Sequence, residues 1–298
     1  MGYSRPAIES WWRTFEDAGH IELAGAYDCV TARLVQHAGF DAVLLGGGAT
    51  AAFAFGLPDV GMVNVAEILD YARRITAAID IPLIVDVDDC GHSKIDIVRN
   101  IRLAEHSGVS GVIMEDVDCS LPKYLWNEQQ QSHDFANATL YPLDEAVARL
   151  EQAMAARTDP RFVIVARVEG ARAASEASME RALERARAYA EAGVDFLYIG
   201  GLWADEVTPE LVQSLGAPLL QLETNRVPAD VRSRLFEAGA SLGHAVLPNM
   251  AAYTAYRDTV FSLKAGEKPA FDGDAWTAYI ELATTVDLPG WTRRLVEG

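Results

Sequence analysis

The chain is poor in cysteine: its 298 residues hold three, Cys29, Cys90 and Cys119, with no CxxC pair among them. An odd, unpaired set gives no disulfide framework and no zinc ribbon, and it suits a reducing compartment, so a cytoplasmic location is expected. Positive charge is scarce too. Lys and Arg number 25 against 43 Asp and Glu, a formal net charge of -18. That balance repels nucleic acid and anionic membrane over most of the surface, which sets both aside as partners. It would repel an anionic substrate as well, unless the site supplies a cation and an arginine of its own. No apolar run reaches the length needed to span a bilayer, and residues 1–12 contain no apolar stretch of signal-peptide type. There is no GxGxxG, no His-Glu-x-x-His and no nucleophile elbow, so dinucleotide binding, zincin chemistry and acyl transfer by serine have no support.

Half of the residues are hydrophobic, enough for a full core. Short β-rich runs at 22–26, 41–45, 82–86, 111–115, 162–166, 195–199, 218–222 and 241–245 alternate with segments of helical period at 28–38, 65–78, 95–107, 143–156, 178–192 and 228–238. Four of those segments end in the same stop before the next strand: Ala38-Gly39, Ser107-Gly108, Ala192-Gly193 and Ala238-Gly239. Glycine there takes the left-handed position that closes a helix. Eight strands with this punctuation predict a (β/α)8 barrel of TIM type, forming one domain over residues 1–298. Two stretches exceed a minimal barrel. Residues 116–142 are polar, include Gln129-Gln130-Gln131, show no sustained period and read as a long gating loop. Residues 264–298 carry Gly-Glu-Lys-Pro and then an apolar, tryptophan-bearing segment at 276–291, a C-terminal helical extension expected to pack on the barrel or on a second subunit, which predicts a homo-oligomer.

In a barrel the C-terminal strand ends share one mouth. Placed there are Asp59 after strand two, Asp86 and Asp88 after three, Glu115 and Asp116 after four, Arg167 and Glu169 after five, residues 223–226 after seven, and His244 on eight. Acids held together raise one another's pKa unless a cation neutralises them, and oxygen donors without a Cys/His set suit Mg2+ or, next, Mn2+. The spacing is not that of an EF-hand, because Cys90 and Ile97 stand where its fifth and twelfth ligands belong. The alternative reading of acids after strands is helix capping, expected for Asp28 and Asp96 and as good an account of Asp89 and Asp116. Arg167 offers a fixed fork for a carboxylate or phosphoryl group, or else an ion pair with Glu169. Gly46-Gly47-Gly48 could bring backbone N–H groups to an anion or simply make a tight turn. His244 is read equally as structural or catalytic; Cys90 and His92 are candidate substrate neighbours, and Cys119 and Lys123 lie where loop closure could bring them in. A divalent ion plus an arginine in an acidic chain suits a small oxyacid, cleaved through a metal-stabilised enolate that a closed lid shields from water.

The runs Gly25-Ala26-Tyr27-Asp28, Gly56-Leu57-Pro58-Asp59, Ile84-Val85-Asp86-Val87-Asp88, Gly111-Val112-Ile113-Met114-Glu115-Asp116 and Ala166-Arg167-Val168-Glu169 resemble the isocitrate lyase and phosphoenolpyruvate mutase superfamily over residues 20–260. The resemblance implies a barrel whose last helix is swapped between subunits of a homodimer or homotetramer, and a Mg2+ site for 2-oxo or 2-hydroxy acids. It implies Asp86 as direct metal ligand, Asp59, Asp88 and Glu115 as holders of the metal's waters, and Arg167, Gly47 and Gly48 as contacts to a small anionic carboxylate substrate. Tyr27 and Asn225 join that substrate-binding set, and Lys123 resembles the lysine of the family's gating loop. Other positions depart from the pattern. The lyase motif Lys-Lys/Arg-Cys-Gly-His is absent, the loop reading Cys119-Ser120-Leu121-Pro122-Lys123-Tyr124; Asp88-Asp89-Cys90-Gly91-His92 replaces Asp-Thr-Gly-Tyr-Gly; and Gly200 stands where mutases carry histidine. The tail, with Val286-Asp287-Leu288-Pro289, resembles the methylisocitrate-lyase branch. The expected activity is Mg2+-dependent cleavage of a C–C bond in a small di- or tricarboxylate, with P–C cleavage of a phosphonopyruvate-like substrate, or oxyacid binding without turnover, as alternatives.

Overall fold

The computed structural model of the chain describes residues 6–121, 123, 125–128, 132–134, 138–171, 178–269, 271 and 273–297. Eight parallel strands carry the fold: β1 (Glu22–Gly25), β2 (Ala42–Leu45), β3 (Leu83–Asp86), β4 (Gly111–Glu115), β7 (Val163–Val168), β8 (Phe196–Ile199), β9 (Leu220–Glu223) and β10 (Ser241–His244). Their order is β8-β7-β4-β3-β2-β1-β10-β9, and a parallel bridge between Leu197 and Leu219 narrows the remaining seam between β8 and β9. The result is a nearly closed parallel barrel. Two short antiparallel strands, β5 (Leu125–Asn127) and β6 (Ser132–Asp134), form a hairpin between β4 and β7, where the sequence reads as unstructured loop. Pro122, Tyr124 and Gln129 to Gln131 of that expected gating loop lie outside the described residues.

Alternation along each strand decides what faces where. Leu23, Leu44, Ile84, Ile113, Val165, Phe196 and Leu222 fill the barrel interior, while Val43, Val85, Val112, Ile164, Leu197 and Leu242 belong to the layer under the helices. The helices between strands are α2 (Cys29–His37), α4 (Val65–Thr76), α5 (Lys94–His106), α6 (Leu143–Ala156), α7 (Met179–Glu191), α8 (Pro209–Leu215) and α9 (Ala229–Glu237). Between β2 and α4, α3 (Gly47–Ala49) runs straight into a π-helical turn, Thr50–Phe55. The helix stops behave as their residues dictate, with φ of +88° at Gly39, +82° at Gly108, +88° at Gly193 and +80° at Gly239. Asp28 caps α2 as expected. Asp96 does not cap α5; Ser93 does, and Asp96 returns the bond to the backbone N–H of Ser93, completing a capping box.

A helix that the sequence reading left out, α1 (Pro6–Ala18), closes the N-terminal end of the barrel. Trp11 is fully buried and meets Phe196, at the start of β8, edge to face at 5.3 Å; Phe15 meets the same ring at 5.1 Å. Trp12 donates from Nε1 to the carbonyl of Arg161 at 2.7 Å. Truncating a core aromatic leaves a void that rigid strands cannot close, so Trp11→Ala is expected to destabilise the protein by about 3–5 kcal/mol. The shift in the urea unfolding midpoint at unchanged slope checks it. Three helices follow the last strand: α10 (Leu247–Ala265), α11 (Ala275–Thr285) and α12 (Leu288–Glu297). Among the described residues no helix is long and apolar enough to cross a membrane.

Candidate metal centre and active site

With the N-terminal end plugged, the open end of the barrel is where the strands finish, and the inward side of those ends is polar. Asp86 ends β3, Glu115 ends β4 and Arg167 lies near the end of β7, in the alternation that faces the interior. The register β4 to β7 sets Glu115 opposite Arg167. Arg167 donates from Nη1 to Asp86 Oδ2 at 3.0 Å and from Nε to Glu169 Oε1 at 2.6 Å, and its Nε lies 3.5 Å from Glu115 Oε2. One guanidinium thus ties three acids together.

Asp88 follows Asp86 with φ of +51°, a turn fastened by its own N–H donating to Asp86 Oδ1 at 3.1 Å. The turn brings its carboxylate back over the mouth. There Lys123, only 1 % exposed, places Nζ 2.5 Å from Asp88 Oδ1, 2.8 Å from Glu115 Oε1 and 3.9 Å from Asp59 Oδ1. Three acids from three separate segments therefore surround one ammonium, with Asp86 and Arg167 alongside. Burial raises the Asp88 carboxyl above its usual range, Lys123 opposes that, and Asp86 and Asp59 add to it. Glu115 is pushed up to about 8 by burial, against the pull of Lys123 and Arg167. Even with both cations beside it, Glu115 stays protonated at neutral pH unless a further cation takes the proton's place.

The donor set fits a divalent cation. Asp88, Glu115 and Cys119 each direct a ligand atom into one cluster, all within 4.8 Å of one another, and Glu115 Oε2 is buried without accepting a hydrogen bond among the described residues. Gly47 stands over Asp86 and Asp88, where a Cβ would lie 3.6 Å from both carboxylates, and a Cβ on Gly48 would approach Asp59 Oδ2 to 3.0 Å. Small residues at both positions leave the backbone close to the acids.

The chain matches the family model described as phosphoenolpyruvate phosphomutase over residues 13–262, a span that holds the barrel and every acid of this site. The chain belongs to the phosphoenolpyruvate phosphomutase family, within the isocitrate lyase and phosphoenolpyruvate mutase superfamily. It is 31% identical over 224 residues to the 2-methylisocitrate lyase of Shewanella oneidensis, covering 74% of this chain and 73% of the relative. It is 30% identical over 275 residues to the oxaloacetate decarboxylase of Rhodopseudomonas palustris, covering 90% and 89%. Among solved structures, a 2,3-dimethylmalate lyase superposes with a TM-score of 0.82 at 24% identity over 98% of both chains. The phosphoenolpyruvate phosphomutase of Streptomyces platensis subsp. rosaceus gives 0.79 at 26%, over 97% of this chain and 99% of that one.

Within this family member, Asp59, Asp86, Asp88, Glu115, Lys123 and Arg167 come together, with Gly47 and Gly48 beside them. Glu169 sits against Arg167, with its N–H donating to Asp116 Oδ1 at 2.9 Å. A Cβ on Gly200 would meet Glu169 Oε2 at 2.5 Å, so Glu169 fills the space that a side chain at 200 would need. Other expected residues lie elsewhere. His244 faces outward on β10, Nε2 3.2 Å from Glu22 Oε1 and edge-on to Phe40, because inward Gly243 packs on Leu23 and Leu222. Cys90 is buried in the strand-helix layer at φ of +63°, its thiol pushed up to about 12 by burial. His92 is 61% exposed and reaches Asp89 rather than the acid cluster, Nδ1 3.4 Å from Oδ2. Tyr27 stacks on Phe53 at 4.1 Å and lines a groove of about 470 Å³ shared with His244 and Asn249. Asn225 is exposed just after β9.

Asp89 and Asp116 prove to be buried anchors rather than caps. Asp89 accepts from Gly91 N–H at 2.9 Å and from Tyr141 Oη at 2.8 Å, with Arg149 beside it. Asp116 accepts from Tyr189 Oη at 2.8 Å and Arg185 Nη1 at 3.3 Å, and burial raises it to about 6 despite Arg185. Arg149 and Arg185, which sequence reasoning missed, hold the floor of the mouth in place. Their signal was available: each interrupts the apolar face of α6 or α7.

Proposed function

We propose that the protein is a lyase that uses a divalent metal ion, Mg2+ first and Mn2+ next, to cleave a C–C bond in a small 2-hydroxy or 2-oxo di- or tricarboxylate. The observation that carries the reading is the convergence of Asp88, Asp59 and Glu115 on one cationic position, with Asp86 held beside it by Arg167. Asp86 would hold the metal directly, and Asp59, Asp88 and Glu115 would hold its waters, an arrangement suited to an ion that keeps part of its hydration. When bound, the ion supplies the concentrated positive charge that a developing enolate needs.

The chain's own residues supply the rest. Arg167, fixed by Glu169, would donate from its guanidinium to one substrate carboxylate as Asp86 turns to the metal, with the backbone at Gly47 and Gly48 close by. In a 2-oxo acid the bond to the departing fragment breaks with its electron pair moving into the enolate. In a 2-hydroxy acid the hydroxyl proton would first pass to a carboxylate of the acid cluster, and the pair would move into the enolate of the departing fragment. Lys123 Nζ is a buried proton-bearing group within the acid cluster, and it would return a proton to the enolate carbon once the fragment has left. Residues 116–142 would act as the gate that keeps water out during that interval, and residues 264–298 as a helical extension of a single barrel domain.

A screen of 2-oxo and 2-hydroxy acids with Mg2+, read by mass spectrometry, tests the reading. Expected is a split into two carbon fragments, or loss of CO2, abolished by a chelator. Turnover of phosphonopyruvate with phosphate release and no carboxylate cleavage would favour the P–C alternative. Gly200, where mutases are expected to carry histidine, disfavours that alternative, although Arg167-Val168-Glu169 resembles the mutase and phosphonopyruvate hydrolase form rather than the Arg-Thr-Asp of lyases.

The assembly proposed is a homodimer or homotetramer in which α10 packs on a neighbouring barrel. Among the described residues α10 buries Asn249 and leaves Leu247, Met250, Tyr253, Tyr256, Val260, Phe261 and Leu263 exposed. Such a face is costly in water, and the apolar groove beside α2, lined by Leu34, Val35 and Phe40, offers complementary surface. A Val260→Asp/Phe261→Asp double variant is expected to shift the mass measured by light scattering from oligomer to monomer. A monomeric unsubstituted protein would sink the swap.

A further inference from the structure

We propose that Cys119 gives the metal centre a sulfur ligand, so that the site binds thiophilic divalent cations such as Cd2+, Zn2+ and Co2+ in addition to oxygen-seeking Mg2+. The inference rests on the metal reading given above and deepens it. Cys119 Sγ lies 3.3 Å from Glu115 Oε1, the same oxygen that Lys123 holds at 2.8 Å. A tetrahedral ion with a sulfur at ~2.3 Å and oxygens at ~2.1 Å sets neighbouring ligand atoms roughly 3.5 Å apart, so the observed spacing needs little adjustment.

Position and support are both in place. Cys119 follows a tight exit from β4: its N–H points at Asp89 Oδ2 at 3.4 Å, and its carbonyl lies against Gly61. The backbone at Cys119 is therefore held from two sides. Asp88, His92 and Cys119 together line an open cavity of about 310 Å³, which gives a cation a path to the cluster from outside the barrel. Glu115 Oε2, buried without a hydrogen bond among the described residues, is a second donor with capacity to spare. Cys29 lies on α2 and Cys90 in the strand-helix layer, so neither thiol competes for this position. On binding, the S–H bond breaks, its proton passes to solvent and a metal–sulfur bond forms, with no change of oxidation state. Lys123 must give up the shared oxygen as the ion enters.

The experiment titrates the full-length protein with Cd2+ and follows the ultraviolet thiolate-to-Cd2+ charge-transfer band. One band per chain is expected, displaced by excess Mg2+, absent in Cys119→Ser and retained in Cys29→Ser. Cd2+ affinity should fall at least ~10-fold in Cys119→Ser, while Mn2+ affinity, read by electron paramagnetic resonance, stays the same. A measurement on the unsubstituted chain guards against a variant that does not fold: Cd2+ should protect Cys119, identified by peptide mass, from alkylation. Mn2+ binding with no Cd2+ band, or a band that survives in Cys119→Ser, overturns the sulfur ligand and leaves the metal centre standing. Failure of both ions to bind overturns both.

Discussion

An Asp86→Ala protein is expected to bind Mg2+ at least ~100-fold more weakly than the unsubstituted protein, a loss of about 2.7 kcal/mol of binding free energy, and to lose turnover with it. Asp86 is the acid that faces the mouth from the end of β3, and its two oxygens do different work. Oδ1 fastens the Asp88 turn and Oδ2 orients Arg167. Removing them takes away the proposed direct ligand and loosens both neighbours at once. Titration calorimetry with Mg2+ checks the affinity, and a thermal shift gives an independent reading. A ligand at 100 times its Kd stabilises the native state by about 2.7 kcal/mol, so the Mg2+-dependent rise in Tm should disappear in the variant. Asp70→Ala, at an exposed acid on α4 that pairs with Arg73 and Arg74, should leave both unchanged. An Asp86→Ala protein with unaltered Mg2+ affinity would remove the central observation behind the proposed activity.

The barrel was legible because its punctuation is local and repeated. Gly39, Gly108, Gly193 and Gly239 need a left-handed backbone, and the strands that follow are buried on both faces, so each unit can be recognised without its neighbours. The inward acids were legible for a related reason, since Asp86 and Glu115 end apolar runs whose interior positions cannot otherwise tolerate charge. His244 shows where that reasoning stops. It too ends a strand, but alternation makes a one-residue difference reverse the face, and the glycine at 243 that fixes the phase is explained only by the Leu23 and Leu222 side chains it packs on. Cys90 was misplaced by the same kind of reasoning, because nearness to Asp88 in the chain says nothing about a turn at φ of +63° that folds the thiol under. The helix α1 could have been read: Ile8, Trp11, Trp12 and Phe15 recur at helical spacing. The β5–β6 hairpin could not, since strands of three residues carry too little pattern to stand out.

Replacing Lys123 with Met should separate two properties that usually fall together. Turnover is expected to drop at least ~100-fold, the scale on which a positioned proton donor contributes, while the metal is expected to bind more tightly on the alkaline side of neutrality. The second expectation follows from charge. In the metal-free protein the ammonium of Lys123 neutralises Asp88 and Glu115, so an incoming dication must displace it. Methionine has similar length and no charge, so the competitor is gone and the packing largely kept. The pH dependence should change in a definite direction. Lys123 lowers the pKa of both Asp88 and Glu115, against burial that raises them, and Glu115 already stands at about 8 with the lysine present. Without it, both carboxyls rise further and are more protonated at neutral pH, so each metal bound must release more protons. Affinity for Mg2+ should therefore climb more steeply with pH in Lys123→Met than in the unsubstituted protein, crossing above it on the alkaline side. Calorimetry in buffers of different ionisation enthalpy counts those protons directly. Weaker metal binding at every pH, with turnover intact, would mean that Lys123 neither occupies the cation position nor serves the reaction.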